Sequence, residues 1–150
     1  GPIQSNKTQL IAQHFSWVHS VDRLKIAKRL NDARPSSLPP LQVCIQTNIS
    51  NENTKSGVLI DELEALATAF SAFPNLKLRG LMSIPAPTEI VDDQRKQFHA
   101  LKECFDQLNQ QGFNLDTLSM GMSNDYTIAI EEGATIVRVG SKIFGARTYN

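Results

Sequence analysis

The chain has 150 residues, with 15 basic and 15 acidic residues that cancel to zero formal net charge, and its length suits a single domain over residues 1–150 with one hydrophobic core. The balanced charge argues against a nucleic-acid partner, and the apolar runs fall far short of the roughly 20 residues that span a bilayer. Because the first residues also lack a signal-peptide core, we expect a cytoplasmic protein with no membrane partner.

Helix and strand patterns alternate along the whole sequence. The predicted elements, in chain order, are helix 5–14, strand 17–21, helix 23–33, strand 41–49, helix 61–73, strand 76–84, helix 92–111 and two strand–helix units within 115–147. The strand at 41–49 has the clearest pattern, because it is rich in β-branched and aliphatic residues. Asp22 is the predicted N-cap of the second helix. The Pro-rich segment 34–40 and the polar segment 50–57 are predicted connections.

This alternation predicts repeated strand–helix units and a parallel sheet. The spacing between strands, roughly 25–35 residues, is typical of such units. An open five-stranded sheet would satisfy the pattern, and so would part of an eight-stranded barrel. The pattern alone leaves both open.

The cysteines and histidines do not indicate a metal site. Cys44 and Cys104 lie in an apolar strand and an amphipathic helix, without a CxxC spacing, and we expect buried free thiols. His14, His19 and His99 are too scattered to match a known ligand spacing, and we expect no metal. His19 is predicted to pack or to form a hydrogen bond within its strand.

The last two predicted strands end in residues that suit an anion. Ser123 follows one strand, Gly140 and Ser141 follow the next, and a helix begins after each. Free backbone N–H groups and the positive end of a helix favour a phosphate group, and the last two strand–helix turns often bind phosphate in parallel barrels. The alternatives are an N-cap at Ser123 and a simple tight turn at Gly140.

Several segments together resemble one known family. They are GPIQSNKTQLI at 1–11, HSVDR at 19–23, NISNENTKSG at 48–57, LRGLMSIP at 78–85, LSMGMSND at 118–125 and VRVGSKIFGAR at 137–147. In this order they resemble the pyridoxal phosphate homeostasis proteins, which are small relatives of the alanine racemase barrel. The resemblance implies an α/β fold of the (β/α)8 TIM-barrel family. It also implies that this chain is the C-terminal part, about strands four to eight, without the first three strands.

The resemblance further implies an intracellular carrier or buffer of pyridoxal 5'-phosphate (PLP) rather than a strong catalyst. The lysine that forms the Schiff base would belong to the missing part, so no catalytic residue is expected in this chain. The phosphate would be bound by Ser123, Gly140 and Ser141. Arg138 would lie beside the pyridine nitrogen, where a cation weakens the electron sink that carbanion chemistry needs. A structural salt bridge is the alternative role of this buried arginine.

Three further residues complete the cofactor site implied by the resemblance. Lys55 would lie near the phenolic oxygen of PLP, although a lysine in a polar loop is most often solvated. Met82 and Met122, at the ends of two strands, would line the pocket. The alternative for Met82 is simple packing.

Two other functions remain as alternatives. One is a racemase-like enzyme that uses PLP, which would need a second acid–base residue; Tyr126 and Tyr149 do not lie in the corresponding racemase motif. The other is a phosphate-binding barrel fragment without a cofactor role. A barrel that lacks three strands exposes two unpaired strand edges, so we expect association with the missing N-terminal segment, swapping with a second copy, or aggregation.

Overall fold

The computed structural model describes residues 1–50 and 56–149. Its strands are β1 (Trp17–Val21), β2 (Leu41–Asn48), β3 (Val58–Leu59), β4 (Leu76–Met82), β5 (Thr117–Met122) and β6 (Ile136–Arg138). Its helices are α1 (Thr8–His14), α2 (Leu24–Ala33), α3 (Ile60–Ala69), α4 (Val91–Gln110), α5 (Tyr126–Glu131) and α6 (Ser141–Phe144), with 3-10 turns at Ser5–Lys7 and Phe70–Ala72. No helix in the described ranges is both long enough and apolar enough to cross a membrane.

The predicted elements are present, with differences at their ends. The predicted helix 61–73 is α-helical only to Ala69 and then tightens into a 3-10 turn. The prediction of Asp22 as an N-cap is wrong, because Arg23 holds the cap position in extended conformation without a side-chain cap bond. Strand β3 was not predicted; its two residues are too few to show an alternating pattern.

The order of the strands resolves the choice that the sequence left open. The sheet runs β1-β2-β4-β5-β6, every neighbouring pair is parallel, and the short β3 pairs with the end of β2. Parallel crossovers are almost always right-handed, so strands added in one direction place all their helices on the same face of the sheet. A doubly wound open sheet would instead reverse its strand order at a switch point. The sheet is therefore a half-barrel of the α/β type.

Side chains that meet across the concave face show how strongly the sheet curves. His19 on β1 and Ser119 on β5 lie three strand spacings apart, which is about 14 Å in a flat sheet. Yet the imidazole Nδ1 and the serine Oγ are 2.9 Å apart. Nearer the amino ends of the strands, the Arg79 guanidinium on β4 lies 4.7 Å from the centre of the Trp17 ring on β1. The curvature of a barrel wall is thus present in this chain.

One cluster of buried apolar side chains joins the sheet to its helices. Its fully buried members come from both layers: Val43, Ile45, Leu81 and Met120 from the strands, and Ile26, Leu30, Phe98 and Leu101 from the helices. The apolar spacing of α2 and α4 puts these residues on one face of each helix. Both cysteines are buried and free, as predicted.

Strands β4 and β5 approach closely at Gly80, and a substitution there tests the pairing of these two strands. Gly80 lies opposite Thr117, and a Cβ at this position would overlap the Thr117 carbonyl oxygen. We expect Gly80→Ala to destabilise the fold by about 3 kcal/mol, since only a backbone shift could relieve the overlap. Urea denaturation followed by circular dichroism measures the change. A destabilisation below about 0.5 kcal/mol, as expected for a surface substitution, would contradict this strand contact.

Candidate anion-binding site

The carboxyl ends of the parallel strands form one edge of the half-barrel, where the predicted site residues meet. Ser83 follows β4, Ser123 follows β5, and Gly140 lies two residues beyond β6. Polar residues at this edge are typical of binding sites in parallel α/β folds, because the loops after the strands converge there. The described structure therefore brings together the residues that the sequence singled out in its C-terminal units.

The Ser123 hydroxyl joins the last two strand–helix turns. Its Oγ accepts hydrogen bonds from the backbone N–H groups of Gly140 and Lys142, at 3.2 and 3.1 Å. The expected alternative was an N-cap for the following helix, but Asp125 holds the N-cap position of α5. Ser123 instead caps the start of the next helix, α6. Two N–H groups thus converge on one oxygen at this edge.

The turn after β6 is open. Gly140 has φ −118° and ψ −69°, a conformation that does not demand glycine. A Cβ added there would find no protein atom within 4 Å in the described structure. Ser141 is exposed at the first position of α6. The space beside Gly140 is therefore open to a small ligand group, next to the two N–H groups that Ser123 accepts from.

Arg138 is the last residue of β6 and lies half-buried opposite Met122. Its Nη1 donates to the Ser119 Oγ at 2.6 Å and its Nη2 donates to the Ser83 carbonyl oxygen at 2.9 Å. Burial lowers the pKa of the guanidinium, and the charge of Asp125 opposes this effect. Arginine stays charged at any physiological pH even so. Within residues 1–50 and 56–149, Arg138 forms no ion pair with a carboxylate, so the described structure does not support the salt-bridge alternative.

Sequence reasoning missed Ser119 and the partner of His19. Ser119 is fully buried, and its hydroxyl lies between Arg138 and the Nδ1 of His19. Burial, and then the charge of Arg138, lower the pKa of His19 below its ordinary value. The histidine was expected to pack or bond within its strand, but its partner lies on β5. A contact across 100 residues leaves no local signal in the sequence.

The other predicted site residues differ in their surroundings. Met82 is buried, 4% exposed, and pairs with Ser119 across the β4–β5 ladder. Met122 is 38% exposed, and its backbone N–H donates to the Asp125 Oδ1 at 2.8 Å. Lys55 lies outside the described residues. Of the two methionines, Met122 is the more exposed.

Ser83 adds a polar atom that needs a partner. It is fully buried, and no atom of the described structure forms a hydrogen bond with its Oγ. A buried hydroxyl without a partner is costly, by about 1–3 kcal/mol, and native structures rarely leave one so. Its own carbonyl oxygen already accepts from Arg138. The Ser83 Oγ is therefore a hydrogen-bonding atom at this edge that has no partner in the described structure.

The part of the chain that the structure describes contains no set of metal ligands. There, no group of three or more His, Cys, Asp or Glu side chains is arranged to hold an ion. Burial raises the pKa of Cys44 to about 12, so this thiol stays protonated. The edge thus offers N–H and hydroxyl donors and one guanidinium, a set that suits an anionic organic group better than a metal ion.

The fold is a parallel half-barrel with a candidate anion site after its last strands. Residues 1–148 match the family described as the alanine racemase N-terminal domain. The chain is 58% identical, over 99% of its length, to the pyridoxal phosphate homeostasis protein of Pseudomonas aeruginosa and 52% identical over its whole length to that of Escherichia coli. The chain belongs to the alanine racemase N-terminal domain family, and the resemblance stated above is confirmed.

Solved structures agree with this assignment. PipY of Synechococcus elongatus, solved with PLP bound, is 33% identical with a TM-score of 0.87; the match covers 97% of this chain and 68% of PipY. Alanine racemase of Clostridium difficile has a TM-score of 0.79 at 16% identity, which indicates a shared fold.

The comparisons also bear on which part of the family the chain represents. It spans 64% of the length of the Pseudomonas aeruginosa and Escherichia coli relatives. The prediction described it as a C-terminal portion, but the family it matches is that of an N-terminal domain, so that description is corrected. The numbering of its strands as four to eight is not confirmed.

The two bonds to Ser123 predict how its loss affects the loop. In Ser123→Ala, the Gly140 and Lys142 N–H groups lose their acceptor, so we expect faster amide exchange at these two positions and a stability loss of about 1 kcal/mol. Amide hydrogen exchange followed by NMR measures both. Ser71→Ala, which removes an exposed serine hydroxyl bonded to Thr68 in a distant turn, is the control. Unchanged exchange at Gly140 and Lys142 would argue against the bridge.

Proposed function

We propose that this chain binds PLP at the carboxyl ends of its strands and contributes to intracellular PLP homeostasis as a carrier or buffer. The observation that carries the proposal is the Ser123 hydroxyl after β5, which accepts from the Gly140 and Lys142 N–H groups after β6 and so joins the last two strand–helix turns. The names of the relatives and the PLP bound to PipY support the same cofactor. We also propose one domain over residues 1–150 in a cytoplasmic protein, supported by its two free cysteines.

The residues after β5 and β6 fit the phosphate end of PLP. Ser123, Gly140 and Ser141 would hold it, through two hydroxyls and the N–H groups of the turn. The open space at Gly140 supports this role: its φ does not require glycine, yet a side chain there would take up space beside the turn. Met122, exposed beside this turn, would line the pocket, and we keep Lys55 and Met82 as proposed cofactor residues.

The ring end of PLP would face Arg138. When bound, PLP supplies an electrophilic aldehyde and an electron-withdrawing pyridine ring. A permanent cation at the ring nitrogen disfavours protonation of that nitrogen, and an unprotonated ring withdraws electrons less strongly. Ser119 and Ser83 hold the guanidinium in place. This arrangement supports binding over rapid amino-acid chemistry.

A racemase-like enzyme is the second candidate, and it needs an acid–base residue opposite the cofactor. Tyr126 begins α5, and its hydroxyl lies 3.4 Å from the Lys142 Nζ, which also stacks over the Tyr126 ring at 4.8 Å. Tyr149 is 87% exposed. Neither position supports a role for these tyrosines as the acid–base residue of a racemase. The fold shared with the racemase carries no argument on chemistry, because folds host many functions.

Gly140→Ala tests the proposed phosphate site. We expect normal folding, since the added Cβ meets no protein atom, and PLP affinity lower by about tenfold, because the methyl group displaces the phosphate from the N–H groups. Titration with PLP, followed by its absorbance, measures the affinity. Gly112→Ala is the matched control: with φ +95° it should lose about 1 kcal/mol of stability and leave PLP affinity unchanged.

Borohydride reduction with peptide mapping separates the candidate functions. We expect no stable adduct at a lysine of this chain, and an adduct would contradict the proposal that this chain holds no Schiff-base lysine. Racemisation of alanine at PLP saturation would support the enzyme instead. A chain that binds inorganic phosphate but not PLP would leave only the third candidate, a phosphate-binding barrel fragment.

We also propose that the sheet is part of a (β/α)8 barrel whose remaining wall covers β1 and β6. In the described ranges these two strands lie at the edges of the sheet. Exposed apolar side chains lie close to each edge: Phe15 is 57% and Phe144 is 85% exposed. A segment that completes the barrel, or a second copy that swaps with this one, would pair with these edges.

Light scattering after gel filtration tests this assembly. Residues 1–150 alone should form dimers or larger species whose mass rises with protein concentration, because open strand edges pair with one another. Addition of the residues that complete a relative's barrel should yield one compact species. A monodisperse monomer that melts cooperatively would count against the half-barrel as an incomplete unit.

A further inference from the structure

A row of three side chains crosses the concave face of the sheet near the proposed ring end of PLP. The Arg138 Nη1 donates to the Ser119 Oγ at 2.6 Å, and that oxygen lies 2.9 Å from the His19 Nδ1. The three residues come from β6, β5 and β1. The motifs that identify the family place Arg138 at the ring and leave the other two without a role.

The direction of the hydrogen bonds follows from what each group can donate. A guanidinium has donors only, so Ser119 must accept from Arg138. The hydroxyl then has one proton to donate, and it is fully buried. In the described ranges, the other atom bonded to this oxygen is the His19 Nδ1. The arrangement that satisfies all three groups is therefore guanidinium to hydroxyl to Nδ1, with the histidine proton on Nε2.

We propose that His19 is a positioning residue: through the Ser119 hydroxyl it orients the Arg138 guanidinium at the ring end of the site. The inference rests on the proposed function, because PLP is the ligand that the oriented guanidinium meets. A neutral His19 fixes the hydroxyl proton away from Arg138 and leaves a lone pair toward it. Protonation at Nδ1 removes the acceptor and sets two cations around one oxygen.

The charged and titratable groups around this row favour a neutral His19. Burial and the Arg138 charge both lower its pKa from the ordinary 6.5, so in the folded protein it takes up a proton only below that pH. Cys44, which interacts with Arg138 from β2, stays a neutral thiol because its pKa is raised to about 12. Asp125, before α5, acts on Arg138. Arg79, from β4, stacks on Trp17, the ring next to His19.

Two variants of His19 separate positioning from packing. In His19→Asn, the side-chain oxygen takes about the place of Nδ1 and accepts from Ser119, but it does not titrate. In His19→Leu, the acceptor is lost at similar bulk. We expect Leu to weaken PLP binding at pH 7.5 by about three- to tenfold, as for a lost hydrogen bond, and Asn to restore affinity to within about twofold of the wild type.

The pH profile supplies a measurement that packing alone would not change. Wild-type affinity for PLP should fall below pH 6.5 more steeply than that of His19→Asn, because only the wild type gains the competing cation. Because both chains bind the same PLP, protonation of PLP itself affects both profiles equally and does not contribute to their difference. His99→Gln, a change on the exposed face of α4, is the control and should follow the wild type. Circular dichroism confirms that each variant is folded.

Side-chain 15N NMR without PLP tests the row independently of the cofactor. At pH 7.5, His19 should show an unprotonated Nδ1 and a protonated Nε2, and Ser119→Ala should change this signature. A proton on Nδ1, or His19→Leu with wild-type affinity and pH profile, would overturn the positioning role. A wild-type chain with the expected NMR signature but without PLP binding would overturn the proposed function, and the role that rests on it.

Discussion

The curvature of the parallel sheet is the constraint on which the site depends. Side chains on β1 and β5 meet at hydrogen-bond distance only because the wall bends through much of a barrel, even though three strand spacings separate them. The same bend brings the ends of β4, β5 and β6 around one point. A flat sheet with this strand order would instead spread Ser83, Ser123 and Gly140 along a straight edge. Curvature therefore draws these three turns together.

Arginine side chains form hydrogen bonds on the concave face near both the amino and the carboxyl ends of the strands. Near the amino ends of the strands, Arg79 bonds Asp116 in a two-point pair, donates to Gln42 and stacks on Trp17. Near the carboxyl ends, Arg138 has neutral partners instead. The first arginine has its charge matched by a carboxylate at 2.7 Å. The second has no carboxylate partner among the described residues, so the protein there does not neutralise its charge.

Sequence patterns were sufficient for the elements and for part of the site. Apolar periodicity located the helices and all five principal strands, and the family motifs pointed to Ser123, Arg138 and the turn at Gly140. Two features were not predicted. Ser119 and His19 make a pair that depends on sheet curvature, and Ser123 caps a different helix from the one expected. Such facts depend on where distant segments meet, and local propensity does not encode them.

The strand order also bears on how the molecule can assemble. Each strand–helix unit packs mainly on the units next to it in the sheet, and successive units can dock as the chain emerges during synthesis. The binding edge differs, because it draws on positions from His19 to Gly140. It follows that this edge is the last feature to mature: a nascent chain can form much of its core before His19, Ser119 and Arg138 meet.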